Sequence, residues 1–140
     1  MDAGSAGPLR LLGPDRFLDW VRGTDVLLAN LDEAYALVGT TPGVSSEVEP
    51  RELAELAARP GPEELARRLA GYATHAVVKL GADGAVWAGP GVVRAPGEPV
   101  VAVDPTGAGD AFAAGLLAAW LSGGRRRSRW RPGPRWARGP

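Results

Sequence analysis

The sequence predicts an α/β protein whose central sheet is parallel at least in part. Short apolar runs of strand length alternate with segments that carry helix start and stop signals. Polar residues follow three of these runs directly: Asn30, Lys79 and Asp104. Because ligands in such sheets bind beyond the carboxyl ends of the strands, we expect these three residues to share one edge.

The first third of the chain predicts helix, strand and helix in succession. Asp15 to Arg22 has amphipathic spacing and follows Gly13-Pro14, which is typical of a short helix. Asp25 to Ala29 is an apolar run suited to a buried strand. Asn30 to Val38 is predicted as a helix that Gly39 ends.

The middle of the chain predicts two further helices before the next strand. Thr40 to Glu49 is polar and contains Pro and Gly, so a loop is expected there. Pro50 to Arg59 and Pro62 to Tyr72 each carry Pro at the first helical position. His75 to Lys79 is the next strand, and we expect His75 to have a structural role.

A turn and a hairpin come next, and a long apolar helix ends this part of the chain. Gly81 to Gly84 is a turn, and the hairpin pairs Ala85 to Ala88 with Val92 to Ala95. Val100 to Val103 is a strand. Ala111 to Leu121 has apolar residues on every face, so we expect that helix to be deeply buried.

Composition excludes several classes of protein. The 140 residues contain no cysteine, which excludes disulfides and cysteine-based metal sites. The N-terminal residues lack the basic and apolar regions of a signal peptide. The longest apolar run, Ala111 to Leu121, is well below the ~20 residues that span a bilayer. We therefore expect a cytoplasmic protein without a membrane partner.

The zero net charge conceals two regions of opposite charge. Residues 1–124 hold 9 basic and 16 acidic residues, whereas residues 125–140 hold seven arginines and no acid. The tail is compatible with a basic arm for acidic surfaces, a disordered tail, or a frameshift in a GC-rich gene. The abrupt change without a linker favours the frameshift. Because the body is acidic, nucleic acid is not an expected partner.

The segment Asp104-Pro-Thr-Gly-Ala-Gly-Asp110 carries the main functional signal. Gly107, Ala108 and Gly109 have minimal side chains, so their backbone N–H groups can approach an anion at a helix N-terminus. Asp110 adds a candidate base beside that anion. An anion site with an adjacent base is what transfer of a phosphoryl group to a hydroxyl requires. The alternative is a tight turn that only caps a helix.

This segment, with the following Ala111-Phe-Ala-Ala-Gly-Leu-Leu117, resembles the C-terminal signature of the ribokinase-like, or PfkB-type, carbohydrate kinases. The Walker pattern would need a lysine here, and the dinucleotide fingerprint would need glycine where Phe112 stands. The resemblance covers residues 1–124, roughly the second half of a family member. It implies a partial ribokinase-like layered fold, a mostly parallel sheet flanked by helices, with residues 125–140 as a separate tail.

Two further motifs match the same family. Asn30 and Glu33 lie one helical turn apart after a strand, which is a capping-box spacing. The resemblance implies that they also organise Mg²⁺ and phosphate, largely through water. Lys79 and Gly81 correspond to a segment that lines the nucleotide site in the family. Lys79 read alone could instead be a solvated charge at a strand end.

The resemblance implies ATP-dependent phosphorylation of a hydroxyl on a sugar or nucleoside-like molecule, with ATP and Mg²⁺ as cofactors. It assigns Asp110 as the catalytic base and Asp104 and Thr106 to a monovalent cation. Asp2 falls near a family aspartate but is given no role. The alternative function is a non-catalytic fragment that binds a nucleotide or a partner, and homo-oligomers are compatible with either.

Overall fold

The computed structural model describes residues 1–4, 6–39, 59–98 and 107–122 of the chain. Its four-stranded sheet has the order β1-β2-β3-β4, formed by Val26–Asn30, His75–Lys79, Ala85–Ala88 and Val92–Ala95. The α-helices are α1 (Ala6–Leu12), α2 (Pro14–Trp20), α3 (Leu31–Val38), α4 (Pro62–Leu69) and α5 (Ala108–Leu121). The α/β class with helices flanking the sheet is confirmed.

The sheet is mixed rather than mostly parallel across the described strands. β1 and β2 are parallel, whereas β2–β3 and β3–β4 are antiparallel. The reason is connection length: the chain reverses within residues 80–84 and 89–91, and only antiparallel neighbours can be joined so tightly. The predicted loop over 40–49, most of the helix over 50–59 and the strand over 100–103 lie outside the described residues.

Alternate residues of the strands enter two separate cores. On one face, Leu27, Ala29, Ala76, Val78 and Val86 pack with residues of α1 to α4. On the other face, residues of β1, β2 and β3 pack against α5: Val26, Leu28, Val77, Ala85 and Trp87. Because side chains alternate along a strand, β1, β2 and β3 each supply both layers of a three-layer α/β/α arrangement.

Helix α5 crosses the second face with a single packed stripe. Leu116 is its one buried residue, and Phe112, Ala113 and Trp120 pack beside it. Leu121 is 82% exposed, so the expectation that this helix is deeply buried was wrong. Apolar residues on every face permit burial but do not enforce it, since one sheet covers only one side of a helix.

The helix boundaries differ from the sequence expectations in several places, and α5 begins at Ala108 rather than at Ala111. α1 was not predicted, because its sequence contains Gly and Pro and has no clear amphipathic period. α4 ends at Leu69 rather than at Tyr72, and α2 ends at Trp20 rather than at Arg22. In the described ranges, no helix is long and apolar enough to cross a membrane.

Leu116→Ala should lower the free energy of unfolding by about 2–3 kcal/mol, because it removes the buried centre of the stripe on α5. The matched variant Leu121→Ala truncates an exposed leucine of the same helix and should cost less than about 0.5 kcal/mol. Urea unfolding followed by far-UV circular dichroism measures both values. Equal losses would contradict packing through one face.

The ion pair between α4 and β4 predicts a pH-dependent contribution to stability. Arg94 donates to Glu63 at 2.9 Å and holds the pKa of that carboxyl below its ordinary value. A lowered folded-state pKa stabilises above the unfolded-state pKa of about 4.3, and the stabilisation is lost as pH falls through the folded-state value. Glu63→Gln should therefore destabilise at pH 7 and have little effect near pH 3. Urea midpoints at both pH values test this against the exposed control Asp83→Asn.

Candidate active site

The parallel pairing of β1 and β2 brings two candidate residues to one edge of the sheet. In its register Asn30 lies opposite Lys79, each the last residue of its strand. Both positions belong to the face that packs against α5, since they continue the alternation of Leu28 and Val77. The carboxyl ends of the two strands therefore present an amide and an ammonium side by side.

Asn30 and Glu33 form a complete capping box at the start of α3. Asn30 Oδ1 accepts from the backbone N–H of Glu33 at 2.9 Å, and Glu33 Oε2 accepts from the backbone N–H of Asn30 at 2.8 Å. Asn30 Nδ2 also donates to Glu33 Oε1 at 2.9 Å. Glu33 is only 2% exposed. The capping interpretation is confirmed, and the three bonds hold both side chains in one geometry.

The oxygen atoms of this pair fit a magnesium ion held through water. Carboxylate and amide oxygens suit Mg²⁺, which keeps much of its own hydration shell. Asn30 is exposed at the rim while Glu33 lies buried behind it, and each carboxylate oxygen can accept a further bond. Among the described residues, no group of three or more His, Cys, Asp or Glu could hold a metal directly.

Lys79 is an ion-paired and largely shielded residue. Its Nζ donates to Asp2 Oδ2 at 2.9 Å, and its side chain is 16% exposed. The interpretation of Lys79 as a solvated strand-end charge was therefore wrong. Sequence reasoning missed Asp2 as its partner, because Asp2 lies in a segment too short to show strand periodicity. An isolated parallel β-bridge between Asp2 and Leu28 pairs that segment with β1.

The N-terminal turn of α5 lies beside this ammonium. Gly107 precedes the helix with a φ of 77°, a left-handed conformation that glycine adopts without strain, and no side chain caps this end within the described ranges. Residues 107–110 are all exposed, including Asp110. A Cβ added to Gly109 would lie 3.7 Å from Lys79 Nζ. Open backbone N–H groups and a cation thus meet at one place, which suits a phosphate.

Gly81 lies two residues beyond Lys79 in a short 3₁₀ turn. The turn spans Gly81–Asp83, and Gly81 has a φ of 61°. Gly84 closes the turn with a φ of 89°, and a Cβ there would collide with the carbonyl of Ala95. The predicted turn is confirmed, and only glycine fits its last position. Asp104 and Thr106, expected to hold a monovalent cation, lie outside the described residues.

A family comparison agrees with this geometry. The model of the pfkB family carbohydrate kinases matches residues 10–128. The chain belongs to the pfkB family of carbohydrate kinases. The resemblance of its glycine-rich segment to that family is thereby confirmed. No curated protein matches the chain.

Solved structures of pfkB-type kinases share the fold. A PfkB protein from Polaromonas sp. JS666 is 30% identical, with a TM-score of 0.60 over 86% of this chain and 33% of that one. The adenosine kinase from Sinorhizobium meliloti is 26% identical, with a TM-score of 0.72 over 98% of this chain and 37% of that one. A putative Ribokinase II in complex with ATP and Mg²⁺ from E. coli is 20% identical, covers 99% and 44% of the two chains, and has a TM-score of 0.62. This chain spans about a third of the length of the first two.

Asn30→Ala should lower the free energy of unfolding by about 1–2 kcal/mol, because it removes the cap and one bond to a buried carboxylate. Asn30→Ser keeps an oxygen that can cap α3 and should recover roughly half of this loss. Thermal unfolding at neutral pH compares the two variants. If Asn30→Ala is as stable as the wild-type chain, the capping box contributes nothing to the fold.

Proposed function

We propose that the protein transfers a phosphoryl group from ATP to a hydroxyl of a sugar or related small molecule. The observation that carries this proposal is the meeting of the open N-terminal turn of α5 with the Lys79 ammonium. Membership of a family of carbohydrate kinases supports it. The whole reaction is a proposal for this chain, which spans about a third of the similar structures.

The backbone at the start of α5 would hold the transferred group. The binding groups would be the backbone N–H groups of Gly107, Ala108 and Gly109. Those of Ala108 and Gly109 have no intrahelical carbonyl to bind, because a helix leaves its first donors unpaired. Charge that develops on the phosphoryl oxygens would be stabilised by these donors and by the helix dipole. Lys79 would add a full positive charge beside Gly109.

Asp110 would accept the proton of the attacking hydroxyl. It occupies the first turn of α5 and is exposed, so the hydroxyl of the substrate can approach its carboxylate. A weak base is sufficient if transfer is loose and the proton leaves late in the reaction. Asn30 and Glu33 would hold Mg²⁺ through water, and Mg²⁺ when bound would neutralise phosphate charge.

The nucleotide would be bordered by Lys79, Gly81 and the turn after β2. A cytoplasmic location would suit an ATP-dependent reaction. Asp104 and Thr106 remain proposed ligands of a monovalent cation. The alternative is a chain that binds a nucleotide or a protein partner without catalysis. The length of the chain relative to the similar structures favours keeping that alternative.

Asp110→Asn should reduce turnover at least 10²-fold while leaving nucleotide affinity within about threefold, because it removes the base but not the anion-binding groups. A coupled assay of ADP release over a panel of sugars and nucleosides measures turnover, and calorimetry measures affinity. Asp15→Asn is the matched control, since Asp15 is an exposed aspartate in the first turn of another helix.

Near-normal turnover by Asp110→Asn would reject Asp110 as the base. Nucleotide binding without any ADP release by the wild-type chain would instead favour the non-catalytic alternative. If the wild-type chain shows no nucleotide binding and no ADP release, the proposed function is rejected altogether.

A further inference from the structure

An ion pair links the first residues of the chain to the carboxyl end of β2. Lys79 Nζ and Asp2 Oδ2 are 2.9 Å apart, although 77 positions separate them in sequence. The lysine side chain is 16% exposed and the aspartate side chain 37%. The lysine end of this pair is shielded whereas the aspartate end is exposed, and the hydrogen bond gives the long lysine side chain a defined direction.

The backbone around Asp2 holds its carboxylate in place. The backbone N–H of Leu28 donates to the carbonyl of Met1 at 2.8 Å, and that of Ala3 donates to the carbonyl of Leu28 at 2.9 Å. Asp2 Oδ1 also accepts from the backbone N–H of Gly4 at 3.0 Å. One oxygen is thus bound within its own turn and the other points at the ammonium. Asp2 is a fixed anchor, whereas a lysine side chain alone has many rotamers.

The anchor opposes an electrostatic repulsion. Lys79 Nζ lies 3.7 Å from the position of a Cβ on Gly109, at the N-terminal turn of α5. That end of a helix carries about half a positive charge, so an ammonium beside it is repelled when no anion is bound. A nearby carboxylate offsets this repulsion. Without Asp2, the Lys79 ammonium would lower its free energy by turning away from the helix N-terminus towards solvent.

We infer that Asp2 is a positioning residue that keeps the Lys79 ammonium over the first turn of α5. The inference rests on the proposed function, since the ligand that meets this ammonium is a phosphate of the nucleotide. Pre-placement reduces the side-chain ordering that binding would otherwise require. Asp2 acts through Lys79 and makes no contact with the reacting atoms in this account.

The inference predicts a change in Mg²⁺–ATP affinity opposite in sign to the change that removal of a negative charge alone would cause. A lost negative charge near an anion site should strengthen phosphate binding. If Asp2 positions Lys79, Asp2→Asn should instead weaken binding of Mg²⁺–ATP to the full chain by about three- to tenfold. The asparagine keeps an oxygen for the Gly4 N–H, so the turn around residue 2 is retained. Asp15→Asn removes the same charge at a remote exposed site and should leave affinity unchanged.

A double-mutant cycle separates positioning from a structural effect. Lys79→Met removes the ammonium, and in that background Asp2→Asn should no longer weaken Mg²⁺–ATP binding. Asp2→Glu keeps the charge one methylene further out and should recover part of the lost affinity. Far-UV circular dichroism and the thermal midpoint of each variant establish that it is folded.

The chain contains a single lysine, which gives a second and independent measurement. Acetylation of Lys79 by acetic anhydride, followed by peptide mass spectrometry, reports the accessibility of its amino group. Asp2→Asn should raise the acetylation rate several-fold in the absence of nucleotide. Mg²⁺–ATP should protect Lys79 in the wild-type chain.

The outcomes distinguish this inference from the proposed function. Unchanged or tighter Mg²⁺–ATP binding by Asp2→Asn overturns the positioning role and leaves the function intact. A weakening by Asp2→Asn that persists in the Lys79→Met background also overturns it. If the wild-type chain binds no Mg²⁺–ATP and gives Lys79 no protection, the proposed function and the inference fail together.

Discussion

The parallel register between β1 and β2 is the constraint on which the candidate site depends. It sets Asn30 opposite Lys79, and both strands end at this pair. A slip by one residue would move every side chain of a strand to the opposite face. The register is secured because both faces are buried: Leu27 and Ala29 enter one core, and Val26 and Leu28 enter the other. The relative position of Asn30 and Lys79 is therefore determined by apolar packing on the two faces of the sheet.

Helix α5 extends the same constraint to the other end of the candidate site. Its packed residues Phe112, Ala113, Leu116 and Trp120 recur along one side of the helix. Gly109 precedes Phe112 by three positions and Ala113 by four, so it lies on that side, one turn earlier. The stripe that rests on β1 to β3 therefore also directs Gly109 towards Lys79. A Cβ at position 109 would lie in ordinary van der Waals contact with the Lys79 ammonium.

Much of this arrangement could be predicted from local sequence signals. The parts that could not be predicted depend on contacts between residues far apart in the sequence. The strands His75–Lys79, Ala85–Ala88 and Val92–Ala95 were predicted within their bounds, because turn residues punctuate them. The capping box of Asn30 and Glu33 follows from a three-residue spacing. The Asp2–Lys79 pair joins residues 77 positions apart, and no local pattern encodes it. The exposure of α5 depends on how many layers cover it, which its own sequence does not specify.

The two ends of α5 differ in how they are held against the sheet. At the far end, Trp120 meets His75 edge-on at 4.7 Å and stacks on Trp87 at 5.1 Å, and these contacts join the helix to the start of β2 and the end of β3. Aromatic contacts of this kind tolerate little displacement, since their energy depends on offset and angle. At the near end, glycines and exposed backbone leave α5 few contacts of its own. The position of the first turn of α5 is therefore set by Phe112 and Ala113 about one turn away and by the rings around Trp120 about three turns away. His75, which opens β2, belongs to this anchor, and the structural role expected for it agrees with its 5% exposure.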